Sequence, residues 1–276
     1  MRMKRVSAVI QCLIISLLVF IVVMPLLLVL INSFKPHNAI VANPMALPAG
    51  LYLDNFVTAW KYGSFVSGFV NSLKVAGTTV LVTCVVSFLA GYGLGTKRFP
   101  GENAVKTYLL VAMTIPLQLF LFPLYSVLAR LNLIGNVYAV GLIIAAVNIP
   151  LAVMLMRTFF LNVPLEIEES ARVDGANGFQ ILLRIMLPMV MPGLITVAVI
   201  VGLNAWNEFL LSSTFLQGAG NYTLNLNYRA LGTGKMAADQ GLVMAGALII
   251  ITPVVTFFLA LQRYVVDGLV SGAVKG

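Results

Sequence analysis

Charged residues are scarce in this sequence, and their scarcity decides the class of protein. Asp, Glu, Lys and Arg together make up 9% of the 276 residues, whereas 60% are hydrophobic. Soluble domains carry roughly 25% charged residues, so this composition is typical of a membrane protein. The net charge of +8 would favour a nucleic-acid partner in a soluble protein. Here the basic residues cluster at the ends of apolar runs, which is an orientation signal, and we expect no nucleic-acid partner.

Histidine and cysteine are almost absent as well. His37 is the single histidine, which excludes a multi-histidine metal site. Cys12 and Cys84 stand within apolar runs, far from any CxxC or Cys/His spacing, so we expect two small core residues and neither a disulfide nor a metal site. A convergent set of nucleophile, base and acid is also missing. The sequence therefore predicts no metal site, no catalytic residue and a chain that is not by itself an enzyme.

Long apolar runs are what the sequence has in abundance. A bilayer span takes about 20 apolar residues. Six windows reach this length, at residues 6–31, 70–95, 108–128, 137–160, 192–211 and 242–265. They predict an all-α integral membrane protein with six transmembrane helices in a single transmembrane domain, residues 1–276. A basic N-terminus before an apolar run also fits a secretory signal peptide, but the run is long and lacks a small-x-small cleavage site, which favours a retained first helix.

The distribution of basic residues predicts the orientation. With the N-terminus placed inside, eleven Lys and Arg residues fall on the cytoplasmic side and six fall outside. The eleven include Lys97, Arg98 and Lys275, and the six include Lys235. We therefore expect both termini in the cytoplasm.

A polar stretch interrupts the apolar runs at residues 162–191. Its charged residues are Glu166, Glu168, Glu169, Arg172, Asp174 and Arg184. A segment this polar cannot lie in hydrocarbon, so it must lie in water beside the membrane. The same loop falls on the cytoplasmic side in the orientation above.

Local signals in the loop predict two short helices that meet at a sharp turn. Pro164 suits a first helical position, and Gly175 is placed to end that helix in a left-handed conformation. Asn177 and Gln180 match a capping box for the second helix, and Pro188 is expected to stop it. We expect a rigid elbow that docks a partner.

The segment between the first two windows, Asn32–Phe69, is predicted to be external. Pro36, Pro44 and Pro48 forbid one continuous helix. Its aromatic residues suit a short element that lies at the membrane interface. They are Tyr52, Phe56, Trp60, Tyr62 and Phe65.

Two glycines near the end of the second window stand four residues apart. This spacing of Gly91 and Gly95 lets helices approach closely. Membrane helices also tolerate glycine without such a role, and the sequence favours neither interpretation.

Polar side chains inside the windows are candidates for a transport pathway. Gln118 stands in the third window and Asn148 in the fourth, each two residues from a proline. Buried amides need partners in lipid, so they are expected to face other helices or a polar cavity. In the fifth window Asn204, Asn207 and Glu208 are spaced to share one helix face, and Glu208 is the only acid clearly inside a window. Contact between helices, gating and substrate contact all remain open.

The spacing of the loop resembles the signature loop of ABC importer permeases. Glu169-Ser170-Ala171, then Gly175, then Ile185-x-Leu187-Pro188 is similar to that family's EAA-x3-G-x9-I-x-LP pattern, with serine where the family usually has alanine. The resemblance implies the type I importer permease fold, in which this loop forms cytoplasmic coupling helices that rest on an ATPase subunit. The residues to which it assigns coupling are Glu169, Ser170, Ala171, Asp174, Gly175, Ile185, Leu187 and Pro188.

Further short motifs resemble those of the carbohydrate, maltose-type branch of that family. Trp206-Asn207-Glu208-Phe209, Asn32-Ser33-Phe34-Lys35 and the ending Gly272-Ala-Val-Lys-Gly276 are each similar to words in its permeases. The resemblance implies one half of a pore for di- or oligosaccharides in the bacterial inner membrane. It also implies a second permease, two ATPase subunits that bind ATP and magnesium, an external solute-binding protein, and no cofactor in this chain. Similar words occur in permeases for glycerol 3-phosphate, so that substrate or a polyol is the alternative.

Two other classes of protein stay as remote alternatives. An ion-coupled secondary transporter would carry its own carboxylates at mid-membrane, and this chain offers only Glu208. A membrane enzyme would need the catalytic set that the sequence lacks.

Overall fold

The computed structural model describes residues 2–96, 99–234 and 238–273, and within these ranges the regular elements are helices. The α-helices are α1 (Arg2–Ser33), α2 (His37–Ala42), α3 (Asp54–Tyr62), α4 (Phe65–Thr96), α5 (Glu102–Ala112), α6 (Leu121–Arg130), α7 (Val137–Leu161), α8 (Leu165–Val173), α9 (Gly178–Gln180), α10 (Leu187–Asn207), α11 (Leu210–Phe215), α12 (Leu224–Thr233) and α13 (Gln240–Ala273). Short 3-10 helices cover Leu117–Phe120 and Ala219–Asn221, and a π-helix covers Ile181–Met186. Four of the basic residues used to predict the orientation lie outside the described residues, namely Lys97, Arg98, Lys235 and Lys275. The end of the Gly272–Gly276 motif lies outside them as well.

The chain divides into two compact units. One comprises Met1–Phe65 and Asn227–Pro253, and the other comprises Val66–Leu226 and Val254–Gly276.

Five helical stretches in the described residues are long and apolar enough to cross a membrane. They are Ile10–Ser33, Phe65–Thr96, Val137–Leu161, Gly178–Asn207 and Gln240–Ala260. A sixth span results if α5 and the Leu117–Arg130 stretch, which are bent by 91°, count as one. The all-α membrane class is confirmed, and the count of six stays a prediction.

The third predicted window, 108–128, is not one helix. Helix α5 ends at Ala112, and Pro116, four residues later, has an extended ψ of 126°. Proline has no N–H to donate and disfavours a helical residue before it, so no helix continues through this position, and a 3-10 turn starts at Leu117.

In the larger unit, glycines on α4 allow close packing against α7. A Cβ at Gly91 would lie 2.6 Å from the Cβ of Met156, and one at Gly95 would lie 2.5 Å from the Cβ of Phe160. Real Cβ atoms do not approach this closely. Of the two interpretations of this glycine pair, the structure supports close helix approach.

The two cysteines differ in environment. Cys84 on α4 is half-buried and packs against the cluster that contains Met156 and Phe160. Cys12 on α1 is exposed, so the expectation of a core residue is wrong there. The reason is that the apolar window of α1 has none of its residues buried within this chain.

Candidate functional site

The first helix of the elbow is α8, and its sequence explains where it begins. It starts at Leu165, so Pro164 directly precedes the helix and is not its first residue as predicted. The φ of Pro164, −59°, suits a helix, but its ψ of 135° does not. Glu166 and Glu168 occupy its first turn, where carboxylates interact favourably with the positive end of the helix dipole.

The end of α8 forms a Schellman motif around Gly175. Gly175 has a φ of +85°, in the left-handed region that favours glycine. Its N–H donates to the carbonyl of Arg172 over 3.1 Å, and the Ala176 N–H donates to the carbonyl of Ala171 over 2.9 Å. The predicted left-handed ending is confirmed.

The second helix of the elbow begins with the predicted capping box. The Gln180 N–H donates to the Asn177 side-chain oxygen, and the Asn177 N–H donates to the Gln180 side-chain oxygen, both over 2.9 Å. The two bonds fix the direction in which the chain leaves the turn.

Pro188 does not stop this helix, and that prediction is wrong. The helix runs through Pro188 and continues as α10 into a 30-residue stretch, Gly178–Asn207. The π-helix directly before the proline provides the reason, because the Leu187 N–H bonds back to the carbonyl of Leu182, one residue further than in an α-helix. The wider turn makes room for a ring that would otherwise clash with the preceding turn.

In the sequence Glu168 is only one of the charges of the loop, and the structure gives it a role that the sequence did not predict. Its side chain faces inward and is nearly buried, at 3% exposure. The Tyr92 hydroxyl of α4 donates to its carboxylate over 3.1 Å, and Arg172 Nη2 donates to it over 2.7 Å. A signal existed, because Glu168 and the buried Ala171 are three residues apart and share one face of α8.

The Arg172 guanidinium responds to this carboxylate. The hydrogen bond from Arg172 to Glu168, followed by the attraction between their charges, raises the pKa of Arg172 above its usual value. Arginine is charged at every physiological pH even without this shift, so the shift reflects the attraction between the two side chains.

The predicted coupling residues divide into an outer and an inner set. Glu169, Ser170, Asp174, Gly175 and Pro188 are exposed. Ala171 is buried, and Ile185 and Leu187 pack against the same internal cluster as Met186 and Phe160. The inner set holds the elbow to the rest of its unit.

Two exposed apolar side chains complete the outer surface of the elbow. Val173 is 88% exposed at the end of α8, and Phe179 is 71% exposed at the start of the second helix. Exposed apolar groups beside charged ones are typical of an interaction site. The sequence analysis did not single out either residue.

The structure brings two of the predicted pathway amides together. The Asn204 side-chain amide on α10 donates to the side-chain oxygen of Asn148 on α7 over 3.2 Å. The Asn148 amide donates to the carbonyl of Ile144 over 2.8 Å, which orients the pair. Asn207 is exposed and donates to the carbonyl of Leu203, and Gln118 is exposed in the 3-10 turn after Pro116.

Glu208 does not lie inside a span, and the expectation that it shares a helix face with Asn204 is wrong. The helix ends at Asn207, and Glu208 has an extended ψ of 128°. Its carboxylate accepts from the Leu211 N–H over 2.6 Å, and from the N–H and hydroxyl of Ser212 over 2.9 Å each. Glu208 thus caps the first turn of α11, a structural role.

Trp206, two residues before Glu208, packs against other aromatic side chains of its unit. Its indole contacts the rings of Phe69 and Phe257 edge-on, at centroid distances of 5.5 and 5.7 Å, and is 6% exposed. It therefore offers no open ring face to a ligand.

The chain also resembles known membrane transport components in sequence. Residues 84–270 match the family described as binding-protein-dependent transport system inner membrane component. The chain is 34% identical to the probable ABC transporter permease protein YurM of Bacillus subtilis, over 91% of this chain and 83% of that one. It is 32% identical to the arabinooligosaccharides transport system permease protein AraQ of Halalkalibacterium halodurans, over 95% and 94%.

A solved structure shares the fold. The crystal structure of a bacterial ABC transporter involved in the import of the acidic polysaccharide alginate contains a chain that superposes with a TM-score of 0.82. The match covers 96% of this chain and 98% of that one at 20% identity. At this identity the likeness concerns the fold alone.

Proposed function

The chain belongs to the inner membrane components of binding-protein-dependent transport systems, and on that premise we propose that it is one half of an importer pore for di- or oligosaccharides. The printed names of its relatives support sugar as the substrate class. They include permeases for arabinooligosaccharides, alpha-glucosides, diacetylchitobiose and trehalose. These names favour sugars over glycerol 3-phosphate or a polyol.

One observation carries the proposed mechanism. The second helix of the elbow and the span α10 are a single helical stretch, Gly178–Asn207, without an interruption at Pro188. A helix transmits displacement along its axis, so a partner that moves the elbow also moves the span. On this proposal ATP closes a pair of ATPase subunits, the elbow follows, and the spans rock to open the pathway.

The proposal gives separate roles to the outer and inner residues of the elbow. Glu169, Ser170 and Asp174, with the exposed Val173 and Phe179, would contact the ATPase. Ala171, Ile185 and Leu187 would instead hold the elbow against its own unit, and Gly175 and Pro188 would set its shape.

The pathway proposal centres on the amide pair Asn148–Asn204. Two amides hydrogen-bonded to each other retain donors and acceptors for sugar hydroxyl groups. The exposed amides Asn207 and Gln118 are also proposed to line the pathway. Glu208 is not, because its carboxylate caps α11. This cap also removes the single candidate for ion coupling, which favours an ATP-driven importer over a secondary transporter.

The proposed assembly contains a second permease, two cytoplasmic ATPase subunits and an external solute-binding protein. A solved structure with TM-score 0.68 and 16% identity, of the bacterial alginate ABC transporter in complex with alginate pentasaccharide-bound periplasmic protein, supports the last of these partners. ATP and magnesium would bind in the ATPase subunits. We propose that residues 1–276 form one permease domain with six spans and both termini in the cytoplasm.

Mass spectrometry of the complex tests this proposal. The tagged chain would be purified from its native membrane in mild detergent. A co-purifying second permease and an ATPase are expected. A chain that purified alone and moved sugar in liposomes without ATP would overturn the proposal.

A further inference from the structure

The smaller unit carries a surface that the transport function does not explain. It is formed by α3 and the residue before it, and its exposed side includes Leu53, Val57 and Trp60. These positions, at i, i+4 and i+7, make one stripe along the helix. Val57 is 66% exposed and Trp60 is 54% exposed.

The helix has three distinct faces. Asn55 and Ala59 form a buried face. Leu53, Val57 and Trp60 form an exposed apolar face, and Asp54, Thr58 and Lys61 follow one position later along the helix as a polar face. A helix that packs on its own protein and otherwise faces water has two kinds of face, one buried and one polar. A third, apolar face indicates a third environment.

The unit around α3 buries polar side chains as well as apolar ones such as Ile40 and Phe65. Its buried residues include Lys35, which is 2% exposed, together with Asn32 and Asn55. The Lys35 ammonium donates to the Asn32 side-chain oxygen over 2.9 Å and to the carbonyl of Asn43 over 3.1 Å. Nearby apolar residues are exposed, namely Leu47, Leu51, Leu53 and Val57. Polar groups inside and apolar groups outside are the order expected of a surface that faces lipid.

Contacts to two spans fix the depth of α3. The Asn55 amide donates to the carbonyls of Ser33, the last residue of α1, and of Lys35, both over 2.8 Å. Gly241, at the start of α13, packs so closely that a Cβ there would lie 2.6 Å from the same amide. Asn55 therefore sits where one candidate span ends and another begins, which is the level of a membrane surface.

The start of α13 is tied to the same level by α2. The Gln240 N–H donates to Nδ1 of His37 over 3.2 Å. Because α13 begins at Gln240, this bond joins α2 to the same end of the span to which Asn55 is joined. Both short helices are thus held at the ends of spans.

We propose that α3 is an interfacial anchor that lies in the head-group region of the lipid bilayer, with Leu53, Val57 and Trp60 in the lipid. The side chains suit this medium, because tryptophan and tyrosine collect at membrane interfaces and lysine extends its charge to water. Lys61 and Tyr62 at the end of the helix, with the lysine nitrogen 5.8 Å from the ring centre, meet this description. The anchor holds the polar cluster around Lys35 out of water and fixes the ends of α1 and α13.

Tryptophan fluorescence tests the proposal. The complete transporter would be reconstituted in liposomes containing phosphatidylcholine labelled with a quenching nitroxide, either near the head group or at the chain end. The emission of Trp60 is the difference between the unaltered protein and Trp60→Phe, which cancels tryptophans in partner chains. Trp206→Phe gives the emission of Trp206, a buried matched control.

The expected result is loss of most of the Trp60 emission with the label near the head group, less loss with the label at the chain end, and little loss for Trp206. If aqueous iodide quenches Trp60 and neither lipid label does, the face lies in water and the proposal fails. If neither lipid nor iodide quenches Trp60, a protein partner covers the face and the proposal also fails.

A pair of substitutions gives a second readout. Val57→Asp places a charge on the apolar face, and Thr58→Asp places the same charge on the adjacent polar face. We expect Val57→Asp alone to reduce the amount of protein recovered from the membrane in folded form. Equal recovery of the two variants would contradict a lipid-facing surface.

Discussion

At the scale of single residues, the elbow depends on side chains that are committed to local geometry. Gly175 supplies a left-handed turn and Glu168 supplies a buried carboxylate that joins α8 to α4. The first could be predicted from sequence, because a glycine just beyond a helix acts within its own turn. The inward position of Glu168 also had a local signal, but its partner had none, because Tyr92 is distant in sequence and only the fold brings it to Glu168.

Gly175→Ala should loosen the elbow without any steric clash, because a Cβ at this position meets open space. The cost comes from the left-handed backbone, about 1–2 kcal/mol for a residue with a side chain. Amide hydrogen exchange in α8 should accelerate about 5- to 30-fold, the ratio that corresponds to this energy. Gly178→Ala is the matched control, since Gly178 has open space and no positive φ. Equal exchange in both variants would refute the strained turn.

Tyr92→Phe should destabilise the protein because the buried Glu168 carboxylate loses a donor. A hydrogen bond to a charged group contributes about 1.5–3 kcal/mol. The unfolding temperature in detergent should fall by several degrees, and Tyr138→Phe, at an exposed tyrosine of α7, should leave it unchanged. Equal unfolding temperatures for the two variants would contradict a stabilising hydrogen bond between α4 and α8.

At the scale of helices, packing decides between the two interpretations of the glycine pair on α4, which composition could not. Glycine in a membrane helix has more than one explanation, and only the distance from Gly91 and Gly95 to α7 separates them. The course of the helix at Pro188 was equally hidden, because the π-helix that accommodates the ring leaves no sequence signal. The capping box at Asn177 was predictable, since both partners lie within one turn.

Gly91→Ala and Gly95→Ala should each force α4 and α7 apart. Overpacking of this kind costs about 1–3 kcal/mol. Gly93→Ala on the same helix is the control, since nothing lies within 4 Å of its Cβ position. Thermal unfolding should therefore shift for the first two variants and not for the third. A comparable shift in all three would mean that the backbone freedom of glycine, and not its small size, matters on α4.

At the scale of the whole molecule, the class, the family and most spans follow from the sequence because long apolar runs and a six-position motif are strong signals. The third window was not predicted correctly, since hydropathy does not register a 91° bend between α5 and the stretch after Pro116. Glu208 was misplaced for a related reason, because an apolar window extends past the point at which the helix ends.

The bent pair decides the number of spans, and labelling can count them. A cysteine replacing Asn103 and another replacing Leu131, each in a chain with Cys12→Ala and Cys84→Ala, would flank the pair at exposed positions. The six-span prediction places them on opposite faces, so an impermeant maleimide should reach each from a different side of the membrane. Labelling of both from one side would make the pair a re-entrant loop.

The coupling of ATP hydrolysis to uptake through the elbow is the central claim, and Gly175→Asp tests it most directly. In proteoliposomes containing the complete transporter, sugar uptake and ATP hydrolysis would be measured together for Gly175→Asp and for Gly178→Asp, which adds the same charge three residues away. The account predicts that Gly175→Asp inserts normally and hydrolyses ATP but loses most of its uptake, while Gly178→Asp retains more of it. Normal uptake by Gly175→Asp, or failure to insert, would contradict the role of the elbow.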